Sequence, residues 1–269
     1  MDSKLILSKD QCPAEEFKDS KTVKSYQCLI GLMLLTSVSR PDLAYATTKL
    51  SRYASNPGQI DIQASLRVLR YLNGTRTSLS LAPDNMLNAD NMLNADPKEK
   101  ISFIPRKSDG SIPVNQLFAY ADASNLDDYD TCRTTTGTLV FHNGLVAYGL
   151  KLVKIILLST TEAECHALSE AIKQVMYLRT VLEDIGSPQT TPTPLGQDNE
   201  GCLHLAVENR HAFDRTRHMA ARRLWVIQGV KEKIVEIKKC PTVEMLADFR
   251  TKAQPKELFL IHWKSIMGM

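Results

Sequence analysis

Four acidic residues in the second half of the chain lie where each could present a carboxylate to one shared site. Asp122 ends the apolar segment LFAYAD, Glu164 lies at the start of STTEAECHAL, Asp198 follows PLGQ, and Asp248 lies in TVEMLADFRTK. The patterns predict two strand ends, a helix start and a C-terminal helix. Carboxylate oxygens are preferred ligands of hard divalent cations, and a pair of such ions suits phosphate chemistry.

Glu164 is distinguished from its neighbour Glu162 by helical spacing. Apolar residues follow Glu164 at intervals of three or four, which places Glu164 on the face that packs against a sheet: Leu168, Ala171, Val175, Leu178, Leu182. Glu162 is about 200° around the helix from Glu164, and Ser159-x-x-Glu162 fits a capping box. The alternative is that both are first-turn acids favoured by the helix dipole.

The remaining acids also have ordinary structural alternatives. A strand-end Asp is often a turn former or N-cap, and Asp248, at helical spacing from Glu244, would alone be a solvated helix acid. In combination they predict a two-ion site in which Asp122, on the central strand, bridges both ions. Asp198 and Glu164 would complete the shell of one ion and Asp248 that of the other. Magnesium is favoured, with manganese as the alternative.

The chain divides into three regions, and the third carries all four acids. Residues 1–76 are predicted to form a small helical unit, with helices at about 26–37, from Pro41 to Asn56-Pro57-Gly58, and from Gln59 to Asn73. Residues 77–115 contain the duplication DNMLNADNMLNA and are predicted to be a polar linker, with a helical turn as the alternative. Residues 116–269 alternate strand and helix patterns, which predicts an α/β domain with a mixed sheet flanked by helices.

The predicted elements of this third region follow its apolar runs. Strands are predicted at 117–120, 137–142 and 234–239, with a short strand before Asp198 and one or two more within 145–158. Helices are predicted at about 161–185, 199–207 and 215–229 and in the C-terminal stretch.

Composition excludes several protein classes. The chain has 269 residues, 43% apolar and 23% charged, with a net charge of +3 that permits a polyanionic partner. The longest apolar stretch, 28–35, is too short to span a bilayer, and the N-terminal apolar run is too short for a signal peptide. Six scattered cysteines without a C-x-x-C pair argue against a disulfide scaffold or zinc site. We therefore expect an intracellular location, in cytoplasm or nucleus, without membrane association.

Several long motifs occur in a recognisable order. Residues 24–76, with RPD-A and RYL-GT, resemble the segment after the reverse-transcriptase palm in copia-type LTR-retrotransposon Pol polyproteins. Residues 117–269 resemble the linked ribonuclease H domain, through ADAS, LSTTEAE, HALSEA, QDNEG, RTRHM and LAD with TKAQP. The resemblance is to a C-terminal fragment of Pol, so it implies a ribonuclease H-like fold preceded by a helical thumb or connection segment.

The resemblance also implies an activity. In that family the domain hydrolyses the RNA strand of RNA–DNA hybrids with two metal ions, and its four carboxylates correspond to Asp122, Glu164, Asp198 and Asp248. The implied partners are the hybrid and the upstream reverse-transcriptase or integrase portions of the polyprotein. The polymerase motif Y-x-D-D is not in this sequence, so no reverse-transcriptase activity is expected.

Basic residues add a candidate binding surface. His218 matches the family's R-T-K/R-H element and would shuttle protons or contact phosphate, or would only stabilise a helix start. The cluster Arg215, Arg217, Arg222 and Arg223 would bind a phosphate backbone, or would form a solvated helix face.

Two other functions stay open. The run KLVKIILL before the STTEAE motif is apolar where the family is polar, which weakens the expected hybrid-binding surface. The alternative to an active enzyme is therefore a catalytically inactive retroelement remnant or a non-catalytic nucleic-acid-binding module. Separately, the residues from Arg67 to Arg70 spell the R-x-L-R tetrapeptide of secreted oomycete effectors, but inside a predicted helix.

Overall fold

The computed structural model describes residues 5–14, 19–75, 115–206 and 220–267. The predicted linker, 77–115, lies outside the described residues apart from Asn115. Within the described ranges, no helix combines the length and the apolar character needed to cross a bilayer.

Three helices precede the sheet, as predicted: α1 Ser20–Ser37, α2 Ala44–Ser51 and α3 Gln59–Gly74. Asp19 caps α1 by accepting from the backbone N–H groups of Lys21 and Thr22. The helix ends before Pro41, which begins a short 3-10 turn, because a residue preceding proline is disfavoured in the helical region. The apolar stripes of the three helices enclose one small core: Tyr26, Ile30, Met33, Leu43, Leu50, Tyr53, Val68.

The second half of the chain forms one five-stranded mixed sheet. Its strands are β1 Leu117–Ser124, β2 Thr135–His142, β3 Leu145–Leu152, β4 Thr193–Gln197 and β5 Val235–Lys239. The spatial order is β3-β2-β1-β4-β5. The first three strands are antiparallel, whereas β4 runs parallel to both β1 and β5. The predicted α/β fold class, a mixed sheet flanked by helices, is confirmed.

Helices cover both faces of this sheet: α4 Thr160–Asp184, α5 Glu200–Ala206, α6 Ala220–Lys231, α7 Asp248–Thr251 and α8 Lys256–Met267. Helix α4 packs its apolar stripe on β1 in the larger core, where Leu168, Ala171 and Val175 are each 0% exposed. The second core lies on the opposite face and includes Tyr120, Phe141 and Phe249. The central strand β1 is therefore buried on both sides.

The structure refines two sequence expectations about elements. The run 145–158 holds one of the one or two predicted strands, β3, and residues 153–158 form no second strand. The last pair of β3 joins Leu152 to Thr135, where β2 begins, and one further hydrogen bond runs from the Val153 N–H to the Thr134 carbonyl at 2.8 Å. Asp248 does not continue a helix from Glu244: a 3-10 turn ends at Glu244, and α7 begins at Asp248 itself.

The helical unit contacts the sheet domain through charged groups on the loop after β1. Lys49 donates to the backbone carbonyl of Asp127 at 2.7 Å and also pairs with its carboxylate. Arg52 pairs with Asp128 at 2.7 Å, and all four side chains are largely buried. These contacts join α2 to the loop between β1 and β2.

A buried arginine makes the second connection. Arg250, in α7, is 1% exposed and donates from Nη1 to the carbonyl oxygen of Pro41 at 2.6 Å. Its guanidinium carbon lies 4.2 Å from the centroid of the Tyr148 ring on β3. The Arg-Pro-Asp turn of the helical unit therefore contacts the short helix that carries Asp248.

Candidate metal site

Sheet register brings two of the predicted acids together. In the parallel pairing of β1 with β4, Ala119 is opposite Leu195 and Tyr120 is opposite Gly196. Continuing this register by two residues places Asp122 beside Asp198, directly after β4. Because parallel strands end at the same edge of a sheet, both carboxylates lie at one rim.

Glu164 completes the group from the first turns of α4. Asp122, Glu164 and Asp198 each offer one carboxylate oxygen, and these oxygens all lie within 4.8 Å of one another. Asp122 is 0% exposed and Glu164 6% exposed, whereas Asp198 is half-buried. This three-carboxylate group is called the triad below.

The two glutamates at the start of α4 have different partners, and the predicted capping contacts of Glu162 are present. Glu164 faces the sheet, and the side-chain amide of Gln197 donates to its Oε2 at 3.3 Å. Glu162 instead accepts from the backbone N–H of Leu158 at 2.7 Å, while its own N–H donates to the Ser159 hydroxyl at 3.1 Å. Glu162 therefore stabilises the start of α4 and is separate from the triad.

Burial and mutual repulsion define the electrostatics of the triad. Burial, followed by repulsion from Asp122 and Asp198, raises the pKa of Glu164 to about 9. Burial and the Asp122 charge likewise raise the pKa of Asp198 above its ordinary value. Three closely spaced carboxylates of this kind fit a divalent cation, which would neutralise their repulsion and which prefers oxygen donors.

Asp248 lies beside the triad and is paired with a lysine. Lys252, one helical turn later, donates to Asp248 Oδ1 at 2.7 Å and to Asp122 Oδ1 at 3.2 Å. Burial and Asp122 raise the pKa of Asp248 to about 7. Burial by itself lowers the pKa of Lys252. Attraction to Asp122 and Asp248 outweighs this effect and raises the pKa above its ordinary value, so the side chain remains an ammonium.

Three contributors to the site were missed in the sequence: Gln197, Thr251 and Lys252. The hydroxyl of Thr251 donates to Asp122 Oδ2, and Lys252 lies four residues after Asp248, at helical spacing. That spacing could have identified Lys252 as a partner of Asp248. No comparable local signal marks Gln197 or Thr251, whose partners are 33 and 129 residues away in the chain.

The predicted basic surface is only partly described. Arg215, Arg217 and His218 lie outside the described residues. On α6, Arg222 is half-buried, but Arg223 is 1% exposed. The prediction that Arg223 lies on an exposed phosphate-binding surface is therefore corrected: the helical spacing that places Val226 and Ile227 in contact with the core turns Arg223 inward as well.

Metal-free stability should depend on pH in the direction set by Glu164. Its folded pKa of about 9 exceeds the ordinary 4.5, so the folded protein keeps a proton that the unfolded chain loses. The contribution of Glu164 to the free energy of unfolding is therefore expected to be most favourable below about pH 4.5 and to decrease as the pH rises toward 9. A divalent ion present at 100 times its dissociation constant raises the free energy of unfolding by about 2.7 kcal/mol. This corresponds to an increase of roughly 5–10 °C in Tm.

Thermal unfolding at pH 5, 7 and 9, with magnesium or with chelator, measures this dependence. We expect the increase in Tm caused by magnesium to grow with pH, because the carboxylates must ionise to bind it. An equal increase at pH 5 and pH 9 would contradict the assignment of Glu164 as a ligand.

Comparisons with known proteins agree with the order of the motifs. The chain is 30% identical over 268 residues to the retrovirus-related Pol polyprotein from transposon TNT 1-94 of Nicotiana tabacum, covering 98% of this chain and 18% of that polyprotein. It is 31% identical over 159 residues to secreted RxLR effector protein 161 of Plasmopara viticola, covering 59% of this chain and 93% of the effector. No protein-family model matches.

Solved structures of ribonuclease H domains are also similar to this chain. Ribonuclease H1 from the archaeon Halobacterium salinarum NRC-1 aligns with a TM-score of 0.35 and 18% identity, covering 51% of this chain and 94% of that structure. The α/β fold assignment rests on the strand order of the sheet, and the relationship to Pol polyproteins rests on sequence similarity along almost the whole chain. The chain is similar over 87–98% of its length to copia-type retrotransposon Pol polyproteins, and it spans 14–18% of their length.

Proposed function

We propose that this protein is a ribonuclease H, which hydrolyses the RNA strand of RNA–DNA hybrids with divalent metal ions. One observation carries the proposal: three carboxylates from β1, α4 and the end of β4 converge within 4.8 Å at one rim of a ribonuclease H-like sheet. Similarity to a retrovirus-related Pol polyprotein supports a nucleic-acid substrate for that site. An intracellular location, where hybrids form, belongs to the same proposal.

The residues of the site have distinct tasks in this proposal. Asp122, Glu164 and Asp198 would hold a divalent cation, which when bound supplies an activated water and stabilises the leaving 3′ oxygen. Gln197 orients Glu164, and the Thr251 hydroxyl orients Asp122. Such buried hydrogen-bond partners fix ligand geometry, because a metal site tolerates little displacement of its ligands.

The two-ion form of the mechanism stays a prediction. It assigns magnesium to the site, manganese as the alternative, and Asp248 to the second ion. His218 and the arginines Arg215, Arg217 and Arg222 remain proposed hybrid contacts. The upstream reverse-transcriptase and integrase portions of the polyprotein remain proposed partners.

The experiment is cleavage of a labelled RNA–DNA hybrid by the purified chain, with magnesium or manganese, beside an Asp198→Asn variant. We expect RNA-strand cleavage that stops in chelator and falls by about 10³-fold in the variant, because one oxygen donor of the triad is replaced by an amide. Asparagine is nearly isosteric with aspartate, so circular dichroism should show both proteins folded. A folded wild-type chain that binds the hybrid without cleaving it would overturn the proposal.

A catalytically inactive retroelement remnant is favoured by the residues before α4. Ile155 and Ile156 are 53% and 57% exposed, and Leu158 is 78% exposed, close to the α4 start that carries Glu164. An apolar surface of this kind offers no hydrogen bond or charge to a phosphate backbone, so it weakens hybrid binding. Absence of cleavage by the folded chain in the same assay is the result that this second function predicts.

A secreted effector role is favoured by similarity to one protein of that name. In this structure, however, the tetrapeptide from Arg67 to Arg70 lies inside α3, and Val68 is 7% exposed in the helical core. Only Val68, at the variable position, packs into the core, whereas Arg67, Leu69 and Arg70 lie on the exposed face of this helix. Detection of the chain outside the producing cell would separate an effector from both other functions.

A further inference from the structure

A lysine occupies the space between two acids of the candidate site. The ammonium of Lys252 lies 2.7 Å from Asp248 Oδ1 and 3.2 Å from Asp122 Oδ1. The Asp122 side chain is 0% exposed and that of Asp248 is 9% exposed, whereas that of Lys252 is 40% exposed. One charged nitrogen thus contacts both carboxylates from the solvent side.

Asp122 takes part in two groups of charges. One is the triad, and the other is the pair of carboxylates, Asp122 and Asp248, that Lys252 contacts. In the described part of the chain, the acids grouped closely enough to share an ion are Asp122, Glu164 and Asp198, without Asp248. The ion pairs found there on Asp122 and Asp248 both come from Lys252. Asp122 therefore lies close to Glu164 and Asp198 and also pairs with Lys252.

We propose that the Lys252 ammonium is the resident cation at the position between Asp122 and Asp248, so that the triad binds one divalent ion and a second ion must displace this lysine. The inference rests on the proposed function, since it concerns the cations of the same site. Its physical basis is that two cations cannot occupy adjacent positions on the same carboxylate oxygen without strong repulsion. The long stem and exposed side of Lys252 allow the ammonium to turn out to solvent when a second ion enters.

The test is the number and affinity of manganese ions bound, measured by titration calorimetry and by the electron paramagnetic resonance signal of free ion. For the wild-type chain we expect one ion in the tight class and a second only at much higher concentration. For Lys252→Met we expect the second ion to bind at least about tenfold more tightly, because the competing charge is gone. Lys256→Met removes an equal charge at an exposed position of α8 and should bind as the wild type does.

A second pair of variants keeps the test decisive if Lys252→Met is unstable without metal. Lys252→Arg retains the positive charge and should keep single-ion binding, while Lys252→Met with Asp248→Asn should lose the second ion that Lys252→Met acquired. The Tm of Lys252→Met should rise as manganese is added, because the ion takes the place of the missing ammonium between Asp122 and Asp248.

The outcomes separate the two proposals. Equal stoichiometry and affinity in wild type, Lys252→Met and Lys256→Met would overturn the role of Lys252 and leave the triad as a metal site. Absence of a tight ion in the wild type and in every variant would overturn the metal-dependent function itself. A tight single ion in the wild type that becomes a tight pair in Lys252→Met supports both.

Discussion

Replacement of Glu164 by glutamine is expected to stabilise the metal-free protein at pH 8 and to abolish hydrolysis. The wild-type side chain has a pKa raised to about 9 by burial and by two neighbouring carboxylates, so the fold disfavours its ionised form. Glutamine has nearly the same shape and no charge to bury. One pKa unit corresponds to about 1.4 kcal/mol, and each kcal/mol to about 2–4 °C in Tm for a chain of this size. We therefore expect Tm in chelator to rise by at least about 3 °C.

The same substitution should remove the response to metal. Loss of one charged donor from the triad is expected to lower hydrolysis by about 10³-fold or more and to eliminate the increase in Tm caused by magnesium. Glu162→Gln is the matched control, because Glu162 is two residues away and bonds to the Leu158 N–H instead of the triad. That variant should retain both activity and the metal response. The reverse result, with Glu162→Gln inactive and Glu164→Gln active, would refute the assignment of the helix ligand.

Gly137→Ala is expected to lower both stability and activity, because α7 approaches β2 too closely for a side chain. A Cβ at Gly137 would lie 2.7 Å from Thr251 Cγ2, 2.9 Å from Arg250 Cβ and 3.2 Å from the Ala247 carbonyl oxygen. Gly137 is also the antiparallel partner of Asp122. Overpacking of this kind costs about 1–3 kcal/mol, which should lower Tm by several degrees.

The loss of activity should exceed what unfolding explains. Movement of α7 shifts the Thr251 hydroxyl and the Lys252 ammonium, both of which contact Asp122. A displacement of about 1 Å costs roughly 100-fold in a preorganised site, so we expect a 10- to 100-fold lower kcat at a temperature where the variant is fully folded. Hybrid cleavage and thermal unfolding measure the two effects separately.

Gly31→Ala supplies the control for the Gly137 substitution. Gly31 lies in the interior of α1 with no atom within 4 Å of an added Cβ. Because glycine is less favourable than alanine in a helix by roughly 0.5–1 kcal/mol, this variant should be slightly more stable and equally active. Similar losses in Gly31→Ala and Gly137→Ala would show that contact with α7 is not the cause.

Local patterns accounted for most elements of the fold. The apolar stripe after Glu164 predicted a helix at about 161–185 and the structure has Thr160–Asp184, while Asn73-Gly74 was correctly placed at the end of α3. Both successes depend on spacing within one segment, where helical periodicity and stop signals act. The apolar run at 153–158 allowed a second strand that does not form, because a strand needs a partner and the pairing with β2 ends at Leu152, followed by a single hydrogen bond from Val153 to Thr134.

The sequence alone selected the acids of the candidate site. The contexts of Asp122, Glu164, Asp198 and Asp248, taken together with the order of the surrounding motifs, selected all four, and the structure groups the first three. The strand and helix patterns predicted the fold class. These features are local patterns or an order of motifs along the chain, so they can be recognised without a structure. The division of roles between Glu162 and Glu164 also followed from helical angle alone.

Only the tertiary structure decided how these groups are paired and how they share charge. The contacts that orient Asp122 and Glu164, from Thr251 and Gln197, cross 129 and 33 residues of chain, and no periodicity relates such distant positions. Parallel pairing of β1 with β4 brings Asp198 to Asp122, while the approach of α7 to Gly137 places Lys252 between Asp122 and Asp248. Electrostatic interaction depends on distance through space and on burial, which exist only once the sheet and its helices have packed.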